Sequence, residues 1–446
     1  MAKKKILFEC QACGYKSGKW MGKCTNCGAW DSFVELGEKE MEIIKSLERT
    51  SGNKALCITD VTQEQIERFG TGDAELDLVL GGGVVEGSLV LVGGSPGVGK
   101  STLLLKTCAN LANSGKKVLY VSAEESSGQI KLRADRIGAN SKNLYLLNEL
   151  VLEDILAEFR QNGYDMLVID SIQTIYSNTI TSAPGSVSQV RAVTFELMRI
   201  AKESKKPVFI IGHITKEGSI AGPRVLEHMV DTVLYFEGDS SKDIRILRSF
   251  KNRFGSINEV GIFEMTQRGL VDAKNIAKKF FDKKSNQAGS AATVVMEGSR
   301  PLILEVQALV AESGYANPKR SSTGYDAGRL TMLLALLEKR LELPFNQYDV
   351  FINIAGGIKI TEPSADLAVI AAILSSFRNR PLNKETIFLG EVGLTGEIRD
   401  VMMQDIRLKE AAAQGFKRAV VPSKPLQENV LKSYVVESVE KIIDWM

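Results

Sequence analysis

Residues 94–101 read Gly94-Ser95-Pro96-Gly97-Val98-Gly99-Lys100-Ser101, with Thr102 and three leucines next. The stretch fits G-x-x-x-x-G-K-[S/T] at every position. It follows an apolar run at 88–92 and precedes a helical pattern, the strand–loop–helix setting that a phosphate cradle needs. Glycines let main-chain N–H groups close around phosphate oxygens, and the amino end of the following helix adds positive potential. Lys100 is expected to reach the β- and γ-phosphates of ATP and Ser101 to offer its hydroxyl to Mg2+, so that residues 94–102 form the nucleotide loop.

Around this loop, apolar runs at 88–92, 117–121, 166–169, 207–211, 232–236 and 244–247 alternate with helical patterns. That alternation predicts an α/β fold, a mainly parallel sheet with helices packed on it. Ligands in such sheets gather at the carboxyl ends of strands. Asp170 ends Met166-Leu167-Val168-Ile169 and is the expected second holder of Mg2+, through its water shell. Glu124 and Glu125 follow the run at 117–121; Glu124 is the favoured water-orienting residue and Glu125 the next choice, against a plain reading as solvated surface carboxylates. His213 follows the run at 207–211 and is a candidate γ-phosphate sensor, or a structural histidine.

At 446 residues the chain is long enough for roughly three domains of about 150 residues. Apolar residues at 44% and charged ones at 25% describe a folded globular protein and exclude wholesale disorder. Lys plus Arg total 56 against 54 Asp plus Glu, so any nucleic-acid partner must be held by local patches and not by net charge. No apolar run approaches a membrane span, and the amino-terminal run after Lys3-Lys4-Lys5 is too short for a signal peptide; a cytoplasmic, reducing location is expected, with no membrane partner.

Of six cysteines, four form Cys10-x2-Cys13 and Cys24-x2-Cys27, each pair followed by glycine. Two such knuckles converge four thiolates on one tetrahedral Zn2+ with no open position, which predicts a structural site in a segment too small to bury its own core. Trp20 and Trp30 stand beside lysines and are expected to pack over the knuckles in preference to stacking on bases. Composition shifts give a C4 zinc-binding domain at 1–30, a linker at 31–59, the ATPase domain at 60–275, a second linker at 276–290 and an α+β domain at 291–446. In the last, helices are expected at 329–341, 365–377 and 405–414 and a strand at 350–354.

The cysteine quartet, the phosphate loop and Lys251-Asn252-Arg253-Phe254-Gly255 together resemble the bacterial RadA (Sms) DNA repair family over the whole chain. The resemblance implies a RecA-like ATPase core that acts in homologous recombination as a hexameric ring, moving on single-stranded DNA, promoting branch migration and working beside a RecA-type recombinase on branched DNA. In ring ATPases a cation supplied in trans neutralises the γ-phosphate, so Lys251 or Arg253 is a candidate finger, the alternative being contact with DNA phosphates. DNA contacts are expected on the loops 174–191 and 216–224, the second carrying Lys216 and Arg224; both look mobile.

Glu362-Pro363-Ser364-Ala365-Asp366 and residues 390–397 resemble the Lon protease domain, whose motif-bearing part spans 349–446 here. Ser364 matches the nucleophile, but Asp405 stands where the activating lysine is expected, with Lys409 one turn away. The expectation is a Lon-protease-like scaffold without peptidase activity that assembles the ring and binds DNA, with Lys319, Arg320, Arg329, Arg378 and Arg380 as candidates for the latter. The rival readings are an ATP-dependent Lon-type protease and a nucleotide-switch scaffold without motor activity.

Overall fold

The computed structural model describes residues 8–35, 67–213, 225–238, 243–273, 287–314, 317–426 and 431–445. Lys216, Arg224, the rest of the loop at 216–224 and most of both expected linkers lie outside them. The chain divides into two compact units, Met1–Asp272 and Ala273–Met446.

The first unit opens with three short antiparallel strands, Phe8–Cys10, Lys16–Ser17 and Phe33–Glu35, with Phe8–Cys10 in the middle. The third strand falls beyond residue 30, inside the stretch expected to be linker, because it is the hydrogen-bonded partner that closes the small sheet. The ATPase core is built on nine strands: β1 (Leu89–Gly94), β2 (Val118–Ser122), β3 (Leu144–Leu147), β4 (Met166–Asp170), β5 (Val208–His213), β6 (Thr232–Glu237), β7 (Ile244–Asn252), β8 (Val260–Thr266) and β9 (Gly269–Asp272). Their order is β9-β8-β7-β6-β1-β5-β4-β2-β3. The strands from β3 to β6 are parallel, and β7, β8 and β9 extend the sheet as an antiparallel meander.

Alternation along each central strand feeds two cores. Val90, Val92, Val118, Tyr120, Met166, Val168, Phe209 and Ile211 enter one layer with α2 (Lys100–Asn113). Leu89, Leu91, Leu119, Val121, Leu167, Ile169, Val208 and Ile210 enter the other, with α4 (Leu152–Gln161) and α5 (Val187–Ser204). Burial on both faces is why these strands read as unbroken apolar runs. Among the described residues the remaining helices of this unit are α1 (Ala74–Val79), α3 (Ser127–Ile137) and α6 (Val225–Met229). Strand β3 and the β8–β9 hairpin went unread in the sequence; β3 is a four-residue edge strand only partly buried, so its pattern is weak.

The expected mobile loop at 174–191 is ordered by one buried side chain. Gln189, 1% exposed on α5, donates from Nε2 to the carbonyls of Ser177, Ile180 and Ser182 and accepts from Ser177 N. Its last five residues belong to α5, which is capped by the Ser186 hydroxyl. Ser188 Oγ also donates to Gln11 Oε1 at 3.2 Å, fastening the cysteine-bearing segment to this helix.

The second unit is a seven-stranded mixed sheet of β10 (Ser290–Glu297), β11 (Arg300–Glu312), β12 (Arg320–Thr323), β13 (Tyr348–Ile354), β14 (Thr386–Phe388), β15 (Arg418–Val421) and β16 (Lys432–Val435), ordered β12-β13-β11-β10-β14-β15-β16. Helices α7 (Ala327–Leu341), α8 (Asp366–Phe377) and α9 (Gln404–Ala413) lie within two residues of the expected spans. The first ten residues of α8 are all buried, as expected of a helix apolar on every side.

Gln189→Ala removes four hydrogen bonds and leaves buried main-chain groups of 177–182 unpaired. A loss of about 2–3 kcal/mol is expected, lowering Tm by roughly 5–10 °C, with faster proteolytic nicking at 177–182. Calorimetry and limited proteolysis check both.

Candidate functional site

The sequence puts the phosphate loop at the carboxyl end of the central strand β1, and backbone geometry makes glycine necessary there. A Cβ on Gly94 would come within 2.6 Å of Phe236 O, and Gly97 and Gly99 hold φ values of 75° and 117°. Open space faces Gly97, the cradle that a phosphate would fill. The Lys100 ammonium folds back onto its own loop, donating to Gly94 O at 2.7 Å and Ser95 O at 3.0 Å. Burial pushes it down to about 8, against the pull of Asp170 and Glu124. Arg245 on β7, 3% exposed, donates from Nε to Val98 O at 3.1 Å and so pins the loop from the meander. Sequence reasoning missed it, since an arginine in a strand carries no sign of which loop it reaches.

Asp170 ends β4 and is buried next to this loop. It accepts a hydrogen bond from Tyr120 Oη at 2.6 Å and another from the Ser101 side chain. Burial pushes its carboxyl up, as do Glu124 and Glu125, while the two hydroxyls act the other way. Ser101 and Asp170 thus converge as a hydroxyl–carboxylate oxygen pair beside the open cradle, a donor set that fits Mg2+ with its waters. The two candidate glutamates separate cleanly. Glu124 accepts from the hydroxyl of Ser171, the neighbour of Asp170, whereas Glu125 turns away to an ion pair with Arg133 at 2.5 Å. Asn148, at the end of β3, ties this turn by donating to the carbonyls of Ser122 and Glu125. His213 is the last residue of β5 and pairs in register with Gly94, so its backbone borders the loop.

The Lys251–Gly255 motif lies elsewhere. Lys251 Nζ donates to the carbonyls of Glu227, His228 and Val230 at 2.8, 3.2 and 2.7 Å, capping the carboxyl end of α6. Asn252 donates to Leu80 O, Phe254 O accepts from Arg68, and a Cβ on Gly255 would come 3.0 Å from the Gly81 Cα, a tight contact. Arg253 Nη1 pairs with Asp231 at 3.3 Å, yet its side chain remains 55% exposed. Asp231 accepts from Leu89 N, the first residue of β1, while the phosphate loop follows Gly94, the last. Five residue steps of about 3.3 Å put roughly 16 Å of strand between the motif and its own chain's loop.

The four cysteine sulfurs lie within 4.8 Å of one another. Cys10–Cys27 and Cys13–Cys24 stand 3.7 and 3.6 Å apart, matching the roughly 3.8 Å edge of a tetrahedral zinc site with Zn–S bonds of about 2.3 Å. Gly14 N and Gly28 N donate to Cys10 O and Cys24 O, and both glycines are left-handed, at 72° and 76°. The donor set fits Zn2+ held by all four thiolates. The tryptophans lie outside the small core of Cys10, Cys24 and Phe33: Trp30 is 72% exposed with Lys23 over its ring, and Trp20 is 53% exposed with its indole N–H on Phe33 O at 3.2 Å.

In the second unit the residue facing Ser364 is Arg407, not Asp405. Arg407, 1% exposed, donates to Ser364 Oγ at 3.1 Å and forks onto both oxygens of Glu362 at 2.6 and 2.8 Å. Asp405 lies two residues earlier on α9, on another face, and accepts from Leu426 N; Lys409 is exposed. Ser364 Oγ donates to Glu362, whose carboxyl burial would raise but Arg407 and Ser364 hold below the usual range. A guanidinium does not give up its proton, and a carboxylate clamped this way is a weak base. Of the basic candidates, Arg329 is committed to buried Asp366 and Val392 O, and Arg320 pairs with Glu338.

A phosphate loop on the central strand of a parallel sheet, a buried carboxylate two strands away and a zinc ribbon ahead of them define a RecA-like P-loop ATPase, with a Lon-like α+β domain behind it. Family models agree: an AAA domain matches residues 54–219, a rubredoxin metal-binding domain 8–35, and the ChlI subunit of Mg-chelatase 333–425. DNA repair protein RadA of Campylobacter jejuni is 63% identical over 100% of both chains, and that of Helicobacter pylori 56% over the same share. RadA of Bacillus subtilis is 51% identical over 95% of this chain and 93% of its own. The chain belongs to the RadA family of DNA repair proteins, as the cysteine quartet, phosphate loop and Lys251–Gly255 motif led one to expect. No helix among the described residues is long and apolar enough to cross a membrane.

Lys100 carries a pH prediction. Phosphate favours the charged ammonium, so nucleotide binding raises a group that starts near 8. Binding is therefore expected to take up a proton above pH 8 and almost none at pH 6.5, and affinity falls as pH rises through 8. Titration calorimetry in buffers of different ionisation enthalpy measures the uptake; Lys100→Met abolishes it.

Proposed function

We propose that the protein is a DNA-stimulated ATPase that works as a closed ring, a hexamer, on single-stranded and branched DNA, driving branch migration beside a RecA-type recombinase in the cytoplasm. One observation carries the ring: Arg253, exposed, sits roughly 16 Å of strand away from its own phosphate loop. A cation so placed serves a nucleotide only on another copy. Lys251, with its amine on three carbonyls of its own chain, then orients the motif while Arg253 is the finger.

In this reading Gly94, Ser95, Pro96, Gly97, Val98, Gly99, Lys100, Ser101 and Thr102 enclose the phosphates. Mg2+, held by Ser101 and through water by Asp170, supplies charge neutralisation at the β- and γ-phosphates. Lys100 leaves the Gly94 and Ser95 carbonyls for the phosphates. Glu124, fixed by Ser171, orients the attacking water, and the favoured glutamate is the one that is not tied up by Arg133. His213, next to Gly94 in register, remains the candidate sensor of the γ-phosphate. The DNA path runs over the loops after β4 and β5, with Lys216 and Arg224 as contacts.

The carboxyl-terminal domain is a scaffold and not a peptidase: the group against Ser364 is an arginine, which cannot serve as its base.

Single-stranded DNA is expected to raise ATP turnover several-fold, and Lys100→Ala to abolish it. In rings mixed from Arg253→Ala and Lys100→Ala subunits, each inactive alone, activity should return, because the intact loop of the first and the arginine of the second complete a site between them. No recovery in the mixture rejects the shared site, and equal turnover with and without DNA rejects the motor in favour of a nucleotide switch.

A further inference from the structure

Tyr120 and Asp170 share a face of the sheet through strand register. Ser122 pairs with Asp170 and Tyr120 with Val168, so Tyr120 lies one side-chain repeat behind the carboxylate on the same face. That is also the face on which α2 packs, bringing Ser101 to the carboxylate from the other side. Tyr120 is 1% exposed, and its phenol donates to Asp170 Oδ2 at 2.6 Å within the sheet core. A buried tyrosine hydroxyl finds a partner, and a bond to an ionised acceptor is among the stronger ones.

We propose that Tyr120 is a positioning residue of the ATP site: its phenol fixes the rotamer of the Asp170 carboxylate so that one oxygen stays turned toward Ser101 and the metal's water. The inference rests on the reading of Asp170 as the carboxylate of the Mg2+ water shell. Ser101 and Tyr120 hold the carboxylate between them. When the Ser101 oxygen turns to the metal, the Tyr120 bond is what keeps Asp170 from following or swinging aside. Without it the carboxylate samples rotamers about its side-chain bonds, and the ordering must be supplied when the metal binds.

Tyr120→Phe in the full-length protein keeps the ring and its packing and removes only the hydroxyl. With Mn2+ as the probe, followed by its electron paramagnetic resonance signal in the ADP complex, affinity is expected to fall about tenfold, the order of one hydrogen bond to a charged acceptor. ADP affinity without metal, by calorimetry, stays within about twofold, and the Mg2+ concentration for half-maximal hydrolysis rises by more than turnover at saturating Mg2+ falls. Unchanged Mn2+ affinity overturns the proposal. So does an equal loss of metal-free ADP binding, which marks a merely structural role. Asp170→Asn, run in parallel, separates the two levels: if it retains wild-type Mn2+ affinity, the reading of Asp170 fails; if it loses Mn2+ while Tyr120→Phe does not, only the role of Tyr120 fails.

Discussion

An ammonium group buried among main-chain carbonyls and facing two carboxylates is the interaction on which the ATPase core depends. Lys100 in its loop has traded water for Gly94 O and Ser95 O, and burial outweighs the attraction of Asp170 and Glu124 enough to bring it down to about 8. Such a charge is held in suspense, poorly solvated and ready for a stronger partner. The surroundings exist to keep it so. Glycines permit the close main-chain packing, Arg245 reaches across from β7 to pin Val98 O, and the central position of β1 buries both faces beneath the loop.

The carboxylates around it show how a shared site is divided. Two acids, Glu124 and Glu125, act electrostatically on a third, Asp170. Each is given a different companion: Tyr120 and Ser101 for Asp170, Ser171 for Glu124, Arg133 for Glu125. Like charges at short range are costly unless neighbours compensate, and these companions supply that compensation while leaving the residues distinct in what they can do. Glu125 is neutralised by a guanidinium, whereas Glu124 accepts from the Ser171 hydroxyl and Asp170 from those of Tyr120 and Ser101.

Much of this was legible in the sequence, and the limits follow a physical pattern. Motifs whose function needs contiguous residues, the phosphate loop and the cysteine knuckles, could be placed because local backbone geometry is encoded locally. Buried strands could be placed because two cores demand unbroken apolar runs. What failed was orientation. Asp405 was expected opposite Ser364 from position along the chain, but two residues along a helix turn a side chain about 200° away, and Arg407 takes the inward place. Trp20 and Trp30 lie at the margin of the cysteine knuckles, because the core there is small enough for Phe33 and two cysteines to fill. Tyr120, Asn148 and Arg245 were invisible because each acts through a partner that only the fold brings near.

The Lys251–Gly255 motif shows why chain position and site position diverge in a protein of this kind. Its residues are anchored thoroughly: Lys251 closes the end of α6, Asn252 reaches Leu80 O, and the glycine at 255 admits close contact with Gly81. Rigidity of this degree is wasted on a residue that merely solvates, because fixing a long cation costs side-chain entropy. It makes sense where a guanidinium must be presented at a set position to something the chain itself does not provide. Arg253 is presented in this way, at the amino end of β1, while the groups that need a cation sit at the carboxyl end. In the proposed ring a subunit so built is half of two sites, and the chemistry that its phosphate loop prepares is completed by the arginine of another copy.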